Sequence, residues 1–194
     1  MSPYINDFVQ GSLVLRPLQD SDKAAFDRAI DEIESEGSYM DFAFHYDAAK
    51  PFPEYVRRLD AWTRGEDLPG PFVPNTFLVG ILGDRVVGRL SLRHVLNDYL
   101  RDFGGHVGYA VVPSERNKGY ATQMLRSVFP IASALGISRM LITCDEGNAG
   151  SERVVIKSGG VWEDTRMEGS TGIAKKRFWI DLADRKDSIG LVLD

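Results

Sequence analysis

One cysteine in 194 residues sets the first limit on this chain: Cys144 has no partner for an internal disulfide and no companion for a zinc-type cluster. A reducing compartment is the expectation, and no metal is called for. No apolar run approaches the roughly 20 residues of a membrane span. The opening stretch MSPYINDFVQ also lacks a basic region followed by an apolar core. Together these absences predict a cytoplasmic protein with no membrane partner. Internal repeats, low-complexity tracts and long linkers are missing too, so one domain over residues 1–194 is expected. A basic excess is absent as well: the net charge is -5, and backbone binding to nucleic acid needs a basic face.

The charge that is present is unevenly shared. Residues 1–100 carry 10 Lys and Arg against 16 Asp and Glu, whereas residues 101–194 carry 13 against 12. This distribution suits an anionic ligand on the second half and a cationic one near the first. A solvated acidic face explains it equally simply.

Periodicity divides the chain into alternating elements. SLVLRPL (12–18) reads as a short strand stopped by proline. Asp20 or Ser21 then caps a helix in which Phe26, Ala29, Ile30 and Ile33 recur at helical spacing. Residues 38–74 mix aromatic, acidic and proline-rich pieces around one helical segment near Tyr55 to Trp62. This irregular part is the expected variable surface for an acceptor, with His45 and Tyr46 inside it. NTFLVGIL and VVGRLSLRHVL form a hairpin about Gly83-Asp84, and GHVGYAVVP is a further strand. A helix starts near Gly119, with a kink or early end expected at Pro130. SRMLITCD is a continuously apolar strand, NAGSERVVIKSGG a short helix, and KRFWIDL a last strand. The order predicts an α/β fold, a mixed sheet covered by helices.

PSERNKGYATQML (113–125) is the stretch with chemistry in it. The first N–H groups of a helix lack acceptors and carry roughly half a positive charge from the dipole, so an anion is the natural occupant. Gly119 clears the approach to the backbone, and Arg116 and Lys118 add charge. The alternative is a helix start with surface decoration. The spacing is neither that of a nucleotide P-loop nor that of a dinucleotide fingerprint.

Arg116, Asn117, Lys118, Gly119, Tyr120 and Ala121 fill the six positions of a signature: Arg or Gln, two residues, Gly, any residue, then Gly or Ala. This resembles the coenzyme A pyrophosphate motif of the GCN5-related N-acetyltransferases (GNAT). Asn148 and Gly159, eleven residues apart, match the family's next landmark, and the resemblance covers about residues 105–160. It implies a splayed mixed sheet with acetyl-CoA in the wedge between the strands ending at Val112 and Asp145. Tyr109, Ala110 and Val111 would then pair with the pantetheine arm, and the amides from Arg116 through Thr122 would hold the pyrophosphate. Asn148 and Ser151 would approach the pantetheine.

The implied activity is acetyl transfer to a primary amine of a small molecule or peptide by direct attack in a ternary complex. The implied alternatives are a longer acyl donor, which a wider wedge near Val155 and Ser151 would favour, and a degenerate, non-catalytic CoA-binding sensor or scaffold. One departure is plain: the family's general-acid tyrosine is Val155 here, and its Gly-Phe pair is Gly159-Gly160. Asp145, His106 and Tyr109 are the candidates for proton handling, each with a structural reading beside it. Glu146 is a further possibility, and Cys144 reads as a small buried hydrophobe. A cationic acceptor fits the acidic first half, and a homodimer is compatible with all of this.

Overall fold

The computed structural model describes residues 12–37 and 42–183. Two antiparallel sheets make the frame. The first has the order β1 (Val14–Pro17), β2 (Asn75–Leu82), β3 (Arg85–Arg93), β4 (Val107–Val111); the second has the order β5 (Arg139–Asp145), β7 (Ile173–Asp181), β6 (Val161–Glu168). Helices α1 (Lys23–Ser35) and α2 (Phe52–Thr63) cover one face of the first sheet. Helices α3 (Tyr120–Ser127), α4 (Phe129–Ala134) and α5 (Ala149–Lys157) pack on the other side, in the core shared with the second sheet.

Period-two alternation on β2 explains how one sheet serves two cores: Leu78 faces one, and Phe77 and Val79 face the other. Leu90 and Leu92 join Leu78 in a core with Met124, Leu125, Met140 and Phe178. Val86 faces a second core built on Phe26, whose ring meets Phe42, Tyr46, Phe52, Tyr55 and Phe77 at centroid distances of 5.7 to 6.2 Å. Much of the region read as irregular is therefore a packed aromatic layer. Residues 38–41 of it lie outside the described residues.

The start of α1 differs from the expected cap. A 3-10 turn, Asp20–Asp22, precedes the helix, and Asp22 rather than Asp20 or Ser21 accepts the backbone N–H of Gln19 at 2.8 Å. Arg16 grips the same carboxylate with both terminal nitrogens, at 2.7 and 2.8 Å. Pro130 acts as expected: α3 stops at Ser127, and Pro130 sits in the first turn of α4, where its missing N–H costs nothing.

Two features escape the sequence pattern. Strand β6 lies at a sheet edge with Val161 and Trp162 exposed at 70% and 59%, so its face to solvent hides the alternation. A π turn, Leu100–Gly104, leads into Gly105 at φ 64. The expected splayed sheet between helices is present, as two antiparallel sheets that meet at one point. His106 N–H donates to the Leu141 carbonyl at 2.7 Å, linking the chain just before β4 to β5. From Tyr109 onward β4 is paired only with β3 among the described residues, so the sheets open into a wedge.

Close approach makes glycine necessary at the β3–β4 pair. A Cβ added at Gly88 would sit 2.5 Å from the Ala110 carbonyl oxygen and 2.9 Å from the Met124 methyl. Gly88→Ala is therefore expected to cost about 1–3 kcal/mol, read as a lower denaturant midpoint with unchanged slope. An unchanged midpoint would show that β3 and β4 shift apart freely.

Candidate active site

The wedge is bounded by β4, the turn after it, β5 and the first turn of α5. The turn is built by local ion pairing. Glu115, 4% exposed, accepts Lys118 Nζ at 3.0 Å and Arg85 Nη1 at 2.6 Å. The Lys118 bond, with that of Arg85, outweighs burial and holds this carboxyl below its ordinary value. Ser114 N–H donates to Glu32 of α1 at 2.6 Å. Arg116 Nε donates to the Val111 carbonyl at 3.1 Å, and its Nη2 meets Glu36 at 2.8 Å. Both cations of the signature thus have protein partners, and they brace the turn against β3, β4 and α1.

Backbone conformation supplies the cradle. Asn117 has φ 62 and Gly119 φ 87, two left-handed positions flanking Lys118. The first bond of α3 runs from Gln123 N–H to the Gly119 carbonyl at 3.1 Å, so the N–H groups of Tyr120, Ala121 and Thr122 precede any helical acceptor. A Cβ at Gly119 would meet nothing nearer than the Gln123 amide at 4.0 Å. The space in front of these amides is open.

Across the wedge the structure brings Tyr109 and Ser151 together, their hydroxyl oxygens 2.9 Å apart. Burial pushes the Tyr109 phenol up to about 12, with the Ser151 hydrogen bond opposing. It keeps its proton at neutral pH. Asn148 caps α5, its Oδ1 accepting Ser151 N–H at 3.0 Å. Val155 is fully buried in the core, and Cys144 lies beside it as an inert thiol pushed up to about 11, mainly by burial.

The other two proton-handling candidates sit in different settings. Asp145 ends β5 partly buried, its side chain 46% exposed and paired with Lys175. His106 is 7% exposed, and its Nδ1 accepts the Leu141 N–H at 2.9 Å. That lone pair is used, which leaves Nε2 as the N–H of the neutral ring. Burial first, then the charge of Arg93, lowers His106 to about 4. Glu146 N–H bonds the Ala174 carbonyl at 2.7 Å in the β5–α5 loop. His45 stacks near Trp62 and Phe72, and Tyr46 bonds Asp27 at 2.9 Å, so both belong to the aromatic layer.

A cavity of about 220 Å³ lies on the other face of the first sheet, walled by Phe44, Phe72, Asn75, Ser91, Arg93 and Tyr99. Phe44 and Phe72 lie in the irregular region 38–74 expected to bind the acceptor, whereas sequence reading passed over Asn75, Ser91, Arg93 and Tyr99. The signal was available in RLSLR, where polar side chains alternate with leucines inside a strand that is buried on both faces.

The family model described as the Acetyltransferase (GNAT) domain matches residues 12–161. The chain belongs to the GNAT acetyltransferase family. Among solved structures it is similar to Mycobacterium smegmatis RimJ in complex with CoA-disulfide, at 21% identity, TM-score 0.67, and 92% and 85% coverage of the two chains. It is similar to the ribosomal-protein-S5-alanine acetyltransferase of Vibrio fischeri, at 13% identity, TM-score 0.68, covering 93% and 98%. It is also similar to yncA, a putative acetyltransferase from Salmonella typhimurium with its cofactor acetyl-CoA, at 14% identity, TM-score 0.58, covering 92% and 98%. No curated protein matches the chain. These likenesses establish a GNAT fold. Among the described residues no group of His, Cys, Asp and Glu is placed to hold a metal ion, and no helix is long and apolar enough to cross a membrane.

Because the folded pKa of His106 is depressed, its stabilising contribution is complete above the unfolded value of 6.5 and is lost as pH falls towards 4. Between pH 7 and pH 5 the protein is expected to lose about 2 kcal/mol through this group. His106→Asn, which keeps an acceptor for Leu141 N–H but does not titrate, should flatten that part of the profile. Parallel profiles of the two proteins would mean that His106 protonates freely in the fold.

Proposed function

We propose that this chain is an acetyl-CoA-dependent N-acetyltransferase that moves an acetyl group to a primary amine of a small molecule or peptide, by direct attack in a ternary complex. The observation that carries the reading is the cradle of N–H groups at the mouth of α3 without acceptors among the described residues, opening onto a wedge whose β4 edge pairs with no further described strand. Fold relatives described with acetyl-CoA or a CoA-disulfide support the donor. A relative described as a ribosomal-protein alanine acetyltransferase supports a peptide amine among the acceptors.

The residues divide the work by position. The amides of Asn117 to Thr122 hold the pyrophosphate, while Arg116 and Lys118 lend long-range charge from their braced positions. The β4 edge at Tyr109, Ala110 and Val111 aligns the pantetheine arm, bringing the thioester to the Tyr109–Ser151 pair. The amine nitrogen attacks the carbonyl carbon, the C–S bond breaks, and the nitrogen gives up a proton. A hydroxyl with pKa about 12 does not surrender its proton to a thiolate of pKa about 8.5. Tyr109 therefore steadies the leaving sulfur by a hydrogen bond, and water completes the protonation. Asp145, half exposed at the end of β5, takes the amine's proton through solvent; His106 has no free lone pair for this.

Nothing favours the longer acyl donor: Val155 is packed in the core and Ser151 is tied to Tyr109, so no widening is present there. The non-catalytic reading is separated by turnover. Gly119→Ala and Gly119→Glu both place a side chain at φ 87 and should each lose about 1 kcal/mol of stability. Acetyl-CoA at about 100 times its dissociation constant should return roughly 2.7 kcal/mol to the wild type and to the alanine variant, and nothing to the glutamate variant. A full thermal shift in Gly119→Glu would sink the cradle. A normal shift without thiol release for any amine would make the chain a CoA-binding module. Tyr109→Phe should keep the thermal shift and lower kcat about tenfold, equivalent to about 1.4 kcal/mol; an unchanged kcat would remove the hydroxyl from the mechanism.

A further inference from the structure

The cavity beside β3 has an unusual charge inventory. Its walls are the rings of Phe44, Phe72 and Tyr99 with Asn75 and Ser91, and Arg93 is the one formally charged residue among those lining it. Arg93 is held rigidly: its backbone N–H bonds the His106 carbonyl at 2.7 Å, and its Nη1 donates to the carbonyls of Gly104 and Gly105 at 3.0 and 3.2 Å. Nε and Nη2 make no hydrogen bond to a described residue, and no carboxylate pairs with this guanidinium among the described residues. Glu168, to which Tyr99 of the cavity wall donates at 2.8 Å, is already occupied by Thr171 at 2.9 Å and Lys175 at 3.5 Å as well.

A partly buried cation without a counter-charge costs free energy, and an anionic ligand offsets that cost. Burial also draws the Arg93 guanidinium below its ordinary value, with Tyr99 opposing. The opposite wall is built with the same rigidity. Phe44 and His45 are consecutive left-handed residues at φ 37 and 58, fixed by the Phe44–Phe77 contact at 5.6 Å and by Arg58 donating to the His45 carbonyl at 2.7 Å. At about 220 Å³ the space admits a fragment rather than a large ligand.

The cavity backs onto the strand that lines the wedge. A Cβ built on Gly108 would lie 3.3 Å from Arg93 Nη2, so the guanidinium rests against β4 one residue before Tyr109, on the face opposite the Tyr109 side chain. We infer that this cavity is the acceptor pocket and that it selects a primary amine carrying a carboxylate next to a compact apolar group, the carboxylate being read by Arg93. The inference rests on the acetyltransferase reading for the amine and on the cavity alone for the carboxylate. It replaces the cationic acceptor suggested by the acidic first half, several of whose acids serve other cations: Asp22 pairs with Arg16, Asp27 with Lys23, Asp60 and Glu66 with Arg64, and Glu36 with Arg116.

The test is direct binding by calorimetry, which needs no turnover. 3-Phenylpropanoate, 3-phenylpropanamide and phenethylamine are titrated into the wild type, Arg93→Gln and Arg93→Lys. The acid should bind the wild type at least tenfold more tightly than the amide or the amine. Arg93→Gln should abolish that preference, and Arg93→Lys, which keeps the charge and supports the fold if the glutamine variant does not, should retain part of it. Displacement of the acid by free phenylalanine, compared with a carboxy-amidated peptide bearing an acidic second residue, shows whether the carboxylate is the amino acid's own or a side chain's. Equal affinity for acid and amide, no binding of either, or an acid preference that survives in Arg93→Gln overturns the inference. The thermal shift with acetyl-CoA in the same samples reports on the donor site separately, so a lost shift indicts the donor reading and leaves the carboxylate result standing.

Discussion

His106 and Leu141 exchange two hydrogen bonds, backbone N–H to carbonyl at 2.7 Å and backbone N–H to imidazole Nδ1 at 2.9 Å. The His106 carbonyl takes a third, from Arg93 N–H at 2.7 Å. One residue thus fastens β3, the root of β4 and the middle of β5 at a single point. A ladder that continued past it would close the sheets into one and leave no wedge. The junction also sets its own sequence requirements. A Cβ on Gly105 would come within 2.7 Å of the Leu141 carbonyl, and Gly105 sits at φ 64, so this residue has to be glycine. The π turn before it delivers the chain at the necessary height, with Thr143 Oγ1 donating to the Phe103 carbonyl at 2.7 Å to hold it on β5.

The same economy governs the cationic signature. Read as a string, Arg116 and Lys118 look like ligands for an anion. In the fold each is drawn to a nearby carboxylate, since a charge-assisted hydrogen bond available within the chain is already satisfied before any ligand arrives. What these pairs do is hold the turn in a conformation with two left-handed residues, which exposes N–H groups. Partial charges fixed by the backbone need no reorganisation when an anion binds, whereas flexible lysines lose rotamer freedom.

How much of this was legible in the sequence follows from what each signal depends on. The α3 mouth, Gly119, the break before Pro130 and the buried β5 are local, and residue spacing alone carried them. Strand β6 was missed because an edge strand with a solvent-facing side needs few apolar residues, and VWEDTRME shows no clean alternation. The π turn depends on the distant Leu141 and on nothing within LRDFG that marks it. The role of His106 was hidden for the same reason: a histidine's protonation is set by what it touches, and its partner lies 35 residues away. Arg93 was overlooked because hydropathy counts it as one polar residue at the end of a strand. Only packing shows that no acid among the described residues comes to meet it.

The two departures from the family pattern, Val155 in place of tyrosine and Gly159-Gly160 in place of Gly-Phe, are linked by packing. A Cβ at position 160 would lie 2.5 Å from Val155 Cγ1 and 3.0 Å from the Val155 carbonyl, whose oxygen already accepts the Gly160 N–H at 2.9 Å. Residue 160 has no room for a side chain while the valine methyl holds its place in the core, and residue 155 in this orientation serves the core rather than the wedge. In this packing the chain around Val155 leaves room only for glycine at residue 160. The hydroxyl that the wedge then has available comes from the opposite wall, from Tyr109 on β4, and its partner is Ser151, one turn before Val155 on α5. A phenol anchored on a strand and buried enough to keep its proton is suited to receive a hydrogen-bonding sulfur and unsuited to exchange protons with it. On the proposed reading, the chemistry of this site depends on positioning and fixed dipoles more than on a titrating acid.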